Sequence, residues 1–160
     1  MDTQRRAVIA SGGAELLDEL HADVVASWVD LLPASATWEA DALARAHRAS
    51  RAALAALLVV FEQGDLDDRS WDRVRTEVLA YGNASPEEAE ELLRTVRIAG
   101  VERLVDLLDE GLRITQQERW ELQREASAFV QELLGRREEI AAAAFDAMLA
   151  DLERSGPDIR

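Results

Sequence analysis

Leucine, valine and alanine recur at spacings of three and four along almost the whole chain, and no run alternates apolar and polar residues with the period of a half-buried strand. That periodicity admits one kind of element, the amphipathic helix, and the fold class is all-α. Breakers are few, with three prolines and eight glycines in 160 residues, so long helices are joined by a small number of turns. Compact domains run to about 100 to 150 residues. The sequence therefore predicts a single helical bundle of about five helices over residues 1–135, followed by a continuation helix and linker over 136–160.

The first strong periodic segment runs from Ala14 to Leu32, with Leu16, Leu17, Leu20, Val24, Trp28 and Leu31 on one stripe and Pro33 as its stop. Gly12 and Gly13 separate it from a short turn or helix before them. A second helix starts at Thr37 and ends at Gly64, and a third is capped by Ser70 and reaches Gly82. Ser85, Pro86 and Glu88 combine an N-cap, a first-turn proline and a capping box, and open a helix that runs to about Glu110 with Gly111 as its C-terminal glycine. Its apolar residues spread over more than half its circumference, which places it centrally. A second capping box, Thr115 with Glu118, opens the last segment, which stays periodic to Gly156-Pro157. At 1.5 Å per residue that segment spans about 60 Å, more than a globule of this size can cover. Gly135-Arg136-Arg137 interrupts its stripe, and there the helix leaves the body.

The chain carries 32 acidic and 18 basic residues, a formal charge of -14. Such a surface repels phosphate backbones and anionic lipid heads, so this segment is not expected to bind nucleic acid or membrane. No window approaches the roughly 18 apolar residues of a membrane span. Cysteine is absent, which excludes disulfides, thiolate metal sites and cysteine nucleophiles, and makes the cytoplasm the default location.

Candidate chemistry is sparse. His21 and His47 lie on different predicted helices; Asp18 and His21 have the i, i+3 spacing of paired metal ligands, but the matching second pair is missing. His47, the one candidate for a haem ligand, sits between charged and small residues rather than in an apolar pocket-forming run. Neither metal nor cofactor is expected. Nucleophile elbows and phosphate-binding loops are missing, and adjacent glutamates diverge by 100° around a helix, so the chain is not expected to be an enzyme. Arg94 and Arg97 stand out because a regular helical projection puts both inside the apolar sector, where each would need a carboxylate partner or an anionic ligand. Trp28, Trp38, Trp71 and Trp120 are expected as core or interface anchors.

Taken together, residues 64–139 resemble the N-terminal regions of PucR-type bacterial transcription regulators, and more remotely the RsbR-type N-terminal domain, a globin-like sensor fold without haem. The resemblance rests on Leu92-Leu93-Arg94-Thr95-Val96-Arg97-Ile98-Ala99-Gly100, with Gly82 before it. Two positions depart from the pattern: Val96 stands where an aromatic is usual, and the glycine is displaced by one residue to Gly100. The resemblance implies a regulatory input and dimerisation module that works beside a separate DNA-binding domain. The expected function is a non-enzymatic sensor domain, with Arg94 and Arg97 as ligand contacts and a state transmitted through the last helix. An interaction scaffold of the stressosome-adaptor kind, without a small ligand, is the alternative. Beyond the Arg136-Arg137 break, Ile140, Ala144, Phe145, Met148 and Leu152 form an apolar seam suited to a homodimer.

Overall fold

A computed structural model describes residues 1–30, 40–81, 94–136, 142, 146 and 149–155, with backbone alone at 41, 42, 78–81, 97 and 98. Among these residues there are six α-helices, one π-helical turn and no strand. None of the helices is long and apolar enough to cross a membrane.

Helix α1 covers Thr3–Glu15, opened by Asp2, whose carboxylate accepts from the Arg5 amide at 2.7 Å. It runs straight through Gly12 and Gly13, where the sequence predicts a break. The two glycines are packing positions instead: Leu58 fills the space a side chain at Gly13 would need, and Leu112 lies 3.1 Å from a Cβ built at Gly12. The chain turns at Leu16, and α2 spans Leu17–Asp30 with Leu17, Leu20, Val24, Val25 and Trp28 buried. The single helix expected from Ala14 is thus two helices divided at Leu16.

Helix α3, Ala40–Gln63, is the central element and packs against α1, α2 and the helices over Asp68–Tyr81 and Gln116–Gly135. The reason lies in side-chain size: Ala46, Ala49, Ala52, Ala53 and Ala56 are buried, so several neighbours approach the α3 backbone closely. Gly64 ends it with a positive φ of 82°, the left-handed conformation that a side chain disfavours. Helix α4 spans Asp68–Tyr81. Its first turn is held by Asp67, whose carboxylate accepts from the Ser70 amide at 2.7 Å, so Asp67 takes the capping role expected of Ser70.

Where one continuous helix is expected up to Glu110, Val96–Gly100 forms a π-helical turn that passes directly into α5, Val101–Leu112. The buried Gly100 brings this turn against α2, where a Cβ would stand 2.9 Å from Val24 Cγ2. Helix α5 continues past Gly111 and stops at Arg113, which adopts φ 51° and donates its amide to Asp109 O at 2.9 Å. Helix α6, Gln116–Gly135, opens with the capping box read from the sequence: the Glu118 amide donates to Thr115 Oγ1 at 3.1 Å, and the Thr115 amide to Glu118 Oε2 at 3.2 Å. Its inner face buries Leu122, Ala126, Phe129, Val130 and Leu133. Residues 149–155 are helical and exposed. Thr37, Trp38, Gly82, the Ser85-Pro86-Glu88 start, Leu92 and Leu93 lie outside the described residues.

Candidate functional site

The densest polar arrangement fastens α6 to the rest of the fold, and it begins in the first turn of α1. Arg5 donates to both carboxylate oxygens of Glu118, at 3.2 and 3.1 Å, and to Leu112 O at 3.2 Å. Arg6 makes the same forked contact with Glu125, at 2.6 and 3.1 Å, and also donates to Phe61 O at 2.8 Å. The Met1 ammonium lies 3.4 Å from Glu121. One short stretch of chain therefore reaches the ends of α3 and α5 and three successive carboxylates of α6. Forked guanidinium–carboxylate pairs fix direction as well as charge. On the other side of α6, Arg119 donates to Asp106 at 2.9 Å and Asp109 at 3.4 Å of α5.

These contacts perturb the groups that make them. The hydrogen bond from Arg5 holds the Glu118 carboxyl below its ordinary value against the opposing effect of burial. Glu121 is also lowered, first by the Gln117 side-chain amide and then by the N-terminal ammonium. The carboxylate of Glu125 raises the Arg6 guanidinium further.

At the far end of α6 the Arg136 guanidinium stacks 4.3 Å over the Trp71 ring while donating to Glu132 at 2.9 Å. Trp71 in turn lies 6.1 Å from Phe129. Two clefts flank this stack: one of about 130 Å³ against Val60, Phe129 and Glu125, and a polar one of about 550 Å³ against Asp65, Asp68, Asp72 and Arg75. A third, of about 450 Å³, lies along α1 between Val8, Gly12 and Leu112. All three open to solvent and none touches Arg94.

Arg94 is exposed, which corrects its expected place in the apolar sector. The π turn after it accommodates one more residue than an α-helical turn, so a regular projection is wrong by roughly 100° on the N-terminal side. Thr95 and Val96 are buried there instead. The Arg97 side chain lies outside the described ones, as do Ile140, Ala144, Phe145 and Met148. Leu152 is 58% exposed, and Leu149, one turn before it, is 42% exposed. Trp28 is fully buried and Trp71 partly buried, whereas Trp120 is 54% exposed beneath the Arg124 guanidinium at 4.8 Å.

Sequence reasoning missed Arg5, Arg6 and Arg136. A usable signal existed: Glu118, Glu121 and Glu125 form an i, i+3, i+7 acidic stripe on one helix, and such a stripe beside a core needs cationic partners. The histidines, assigned to separate helices with no relation, are in contact, with ring centres 5.4 Å apart. Among the described residues no cluster of three or more histidine, aspartate or glutamate side chains has the geometry to hold a metal ion. Among the described residues the contacts that fasten α6 are ion pairs, hydrogen bonds and a cation–π stack. No family model, curated protein or solved structure matches the chain.

Proposed function

We propose that the chain is a non-enzymatic regulatory input and dimerisation domain of a bacterial signalling or transcription-regulator protein, cytoplasmic and globin-like in its helical arrangement. The observation that carries this reading is where large apolar side chains remain exposed. Of the four among the described residues, Val8, Trp120, Leu149 and Leu152, three lie on α6 or the segment beyond it. An apolar residue left in water on a 48% hydrophobic chain is unremarkable singly, but two a turn apart on the segment beyond α6, Leu149 and Leu152, mark a contact surface. In this reading Ile140, Ala144, Phe145, Met148 and Leu152 form the seam between two copies.

The same helix is held to the body by reversible contacts at both ends, the Arg5 and Arg6 pairs and the Arg136–Trp71 stack. A ligand or partner that repacks the core can bias them and pass its state along α6. Arg94 and Arg97 are the proposed contacts for an anionic ligand. DNA recognition is left to another domain, since the charge of -14 opposes phosphate contacts.

A second reading, an interaction scaffold without a small ligand, is favoured by the openness of the three clefts, which suit a protein surface better than an enclosed molecule. Native mass spectrometry of the chain purified from its own host separates the two. A dimer retaining a small anion supports the sensor, and a dimer with a protein partner and no small molecule supports the scaffold. A bare monomer contradicts both.

A further inference from the structure

We propose that His21 and His47 form a two-imidazole site for a borderline divalent transition-metal cation, of which Zn²⁺ is the representative, joining α2 to α3. This inference is independent of the dimerisation reading.

The geometry fits such an ion. Imidazole nitrogen binds zinc at about 2.0–2.1 Å and the ring centre lies about 1.1 Å further out, so two imidazoles at a tetrahedral angle have centres about 5.2 Å apart. The observed separation is 5.4 Å, with the rings at 87° to one another. The rings meet edge to face, so sharing an ion requires the His47 ring to turn about its side-chain bonds while His21 and the two helices keep their places.

Protonation is also suited to a ligand pair. His21 Nδ1 lies 2.9 Å from Leu17 O one turn earlier in α2, a contact that only a protonated Nδ1 can satisfy. This tautomer leaves the Nε2 lone pair for a metal, the arrangement in which a backbone carbonyl orients a ligating histidine. His47 has no hydrogen-bond partner among the described residues. Both residues are partly exposed, which gives an entry path and room for water to complete the coordination.

The neighbouring charges do not defeat a cation. Arg51, one turn beyond His47 on α3, is engaged by Asp18, one turn before His21 on α2. That ion pair bridges the same two helices beside the histidines. Two protein ligands with solvent make a weak, exchangeable site, fit to respond to metal concentration rather than to hold an ion permanently.

The test is calorimetric titration of Zn²⁺ into the full chain at neutral pH, with millimolar Mg²⁺ present to occupy surface carboxylates, which a hard cation prefers and imidazole does not. The expected result is one Zn²⁺ per chain, with affinity lower by about tenfold or more in His21→Gln and again in His47→Gln. Circular dichroism checks that both variants stay folded. Zn²⁺ should also raise the melting temperature of the unsubstituted chain but of neither variant. No binding, or binding of equal strength in the unsubstituted chain and in His47→Gln, overturns the proposal.

Discussion

Gly100 and Gly111 belong to one helical stretch, yet opposite effects are expected when each becomes alanine. At Gly100 a Cβ would stand 2.9 Å from Val24 Cγ2 and 3.6 Å from Leu54 Cδ2. Both neighbours are buried, and a β-branched valine cannot swing aside at low cost. Overpacking costs about 1–3 kcal/mol and the gain in helix propensity is about 1 kcal/mol, so Gly100→Ala should destabilise by roughly 1 kcal/mol. At Gly111 no atom lies within 4 Å of a Cβ, and Gly111→Ala should stabilise by about 0.5–1 kcal/mol. Urea denaturation of the two variants checks the pair, and a shift in the same direction for both would show that the close approach of the π turn to α2 is wrong. Arg113, held at φ 51°, is the converse case: Arg113→Gly should gain about 1 kcal/mol by relieving a left-handed non-glycine residue.

At the scale of elements, acid should loosen the fold in two stages, because two contacts between helices carry lowered pKa values. His47 lies below the ordinary 6.5, so its contribution is complete above that pH and is lost as the pH falls and the ring is forced to charge beside His21. Glu118 lies below the ordinary 4.5, so the α1–α6 contact contributes above 4.5 and is lost as the pH falls through the lower folded value. Melting temperature should decline first below about pH 6.5, with His47→Gln removing that step, and again below about pH 4.5, with Arg5→Gln reducing the second. A flat profile between pH 7 and 5 in the unsubstituted chain would contradict the first stage.

The elements also show what was legible beforehand. The Thr115–Glu118 box could be read because a cap is made within four consecutive residues. Gly12 and Gly13 could not, because their role depends on Leu58 and Leu112, which approach only in the folded chain. The exposure of Arg94 was hidden by the π turn, which regular periodicity cannot anticipate. Contact between His21 and His47, and the clamp of Arg5 and Arg6 on α6, depend on how α2 meets α3 and where α1 returns. Spacing within one helix shows that Glu118, Glu121 and Glu125 need cationic partners, but not that α1 supplies them, and it carries no record of the histidine contact.

For the whole molecule, the central claim is that a helical body carries its last helix as the output and the contact with a second copy. The charge of -14 makes two such bodies repel, so association requires a surface with enough apolar area to offset that repulsion. We propose Leu149 and Leu152, exposed on the terminal helical segment, as part of that surface. The direct test is sedimentation equilibrium at high micromolar concentration on the full chain and on its Leu149→Glu/Leu152→Glu variant, whose substituted side chains already face solvent and leave the core untouched. The full chain should sediment at twice its 17.7 kDa mass and the variant at 17.7 kDa, whereas a monomeric full chain, or a variant that remains dimeric, would contradict the account.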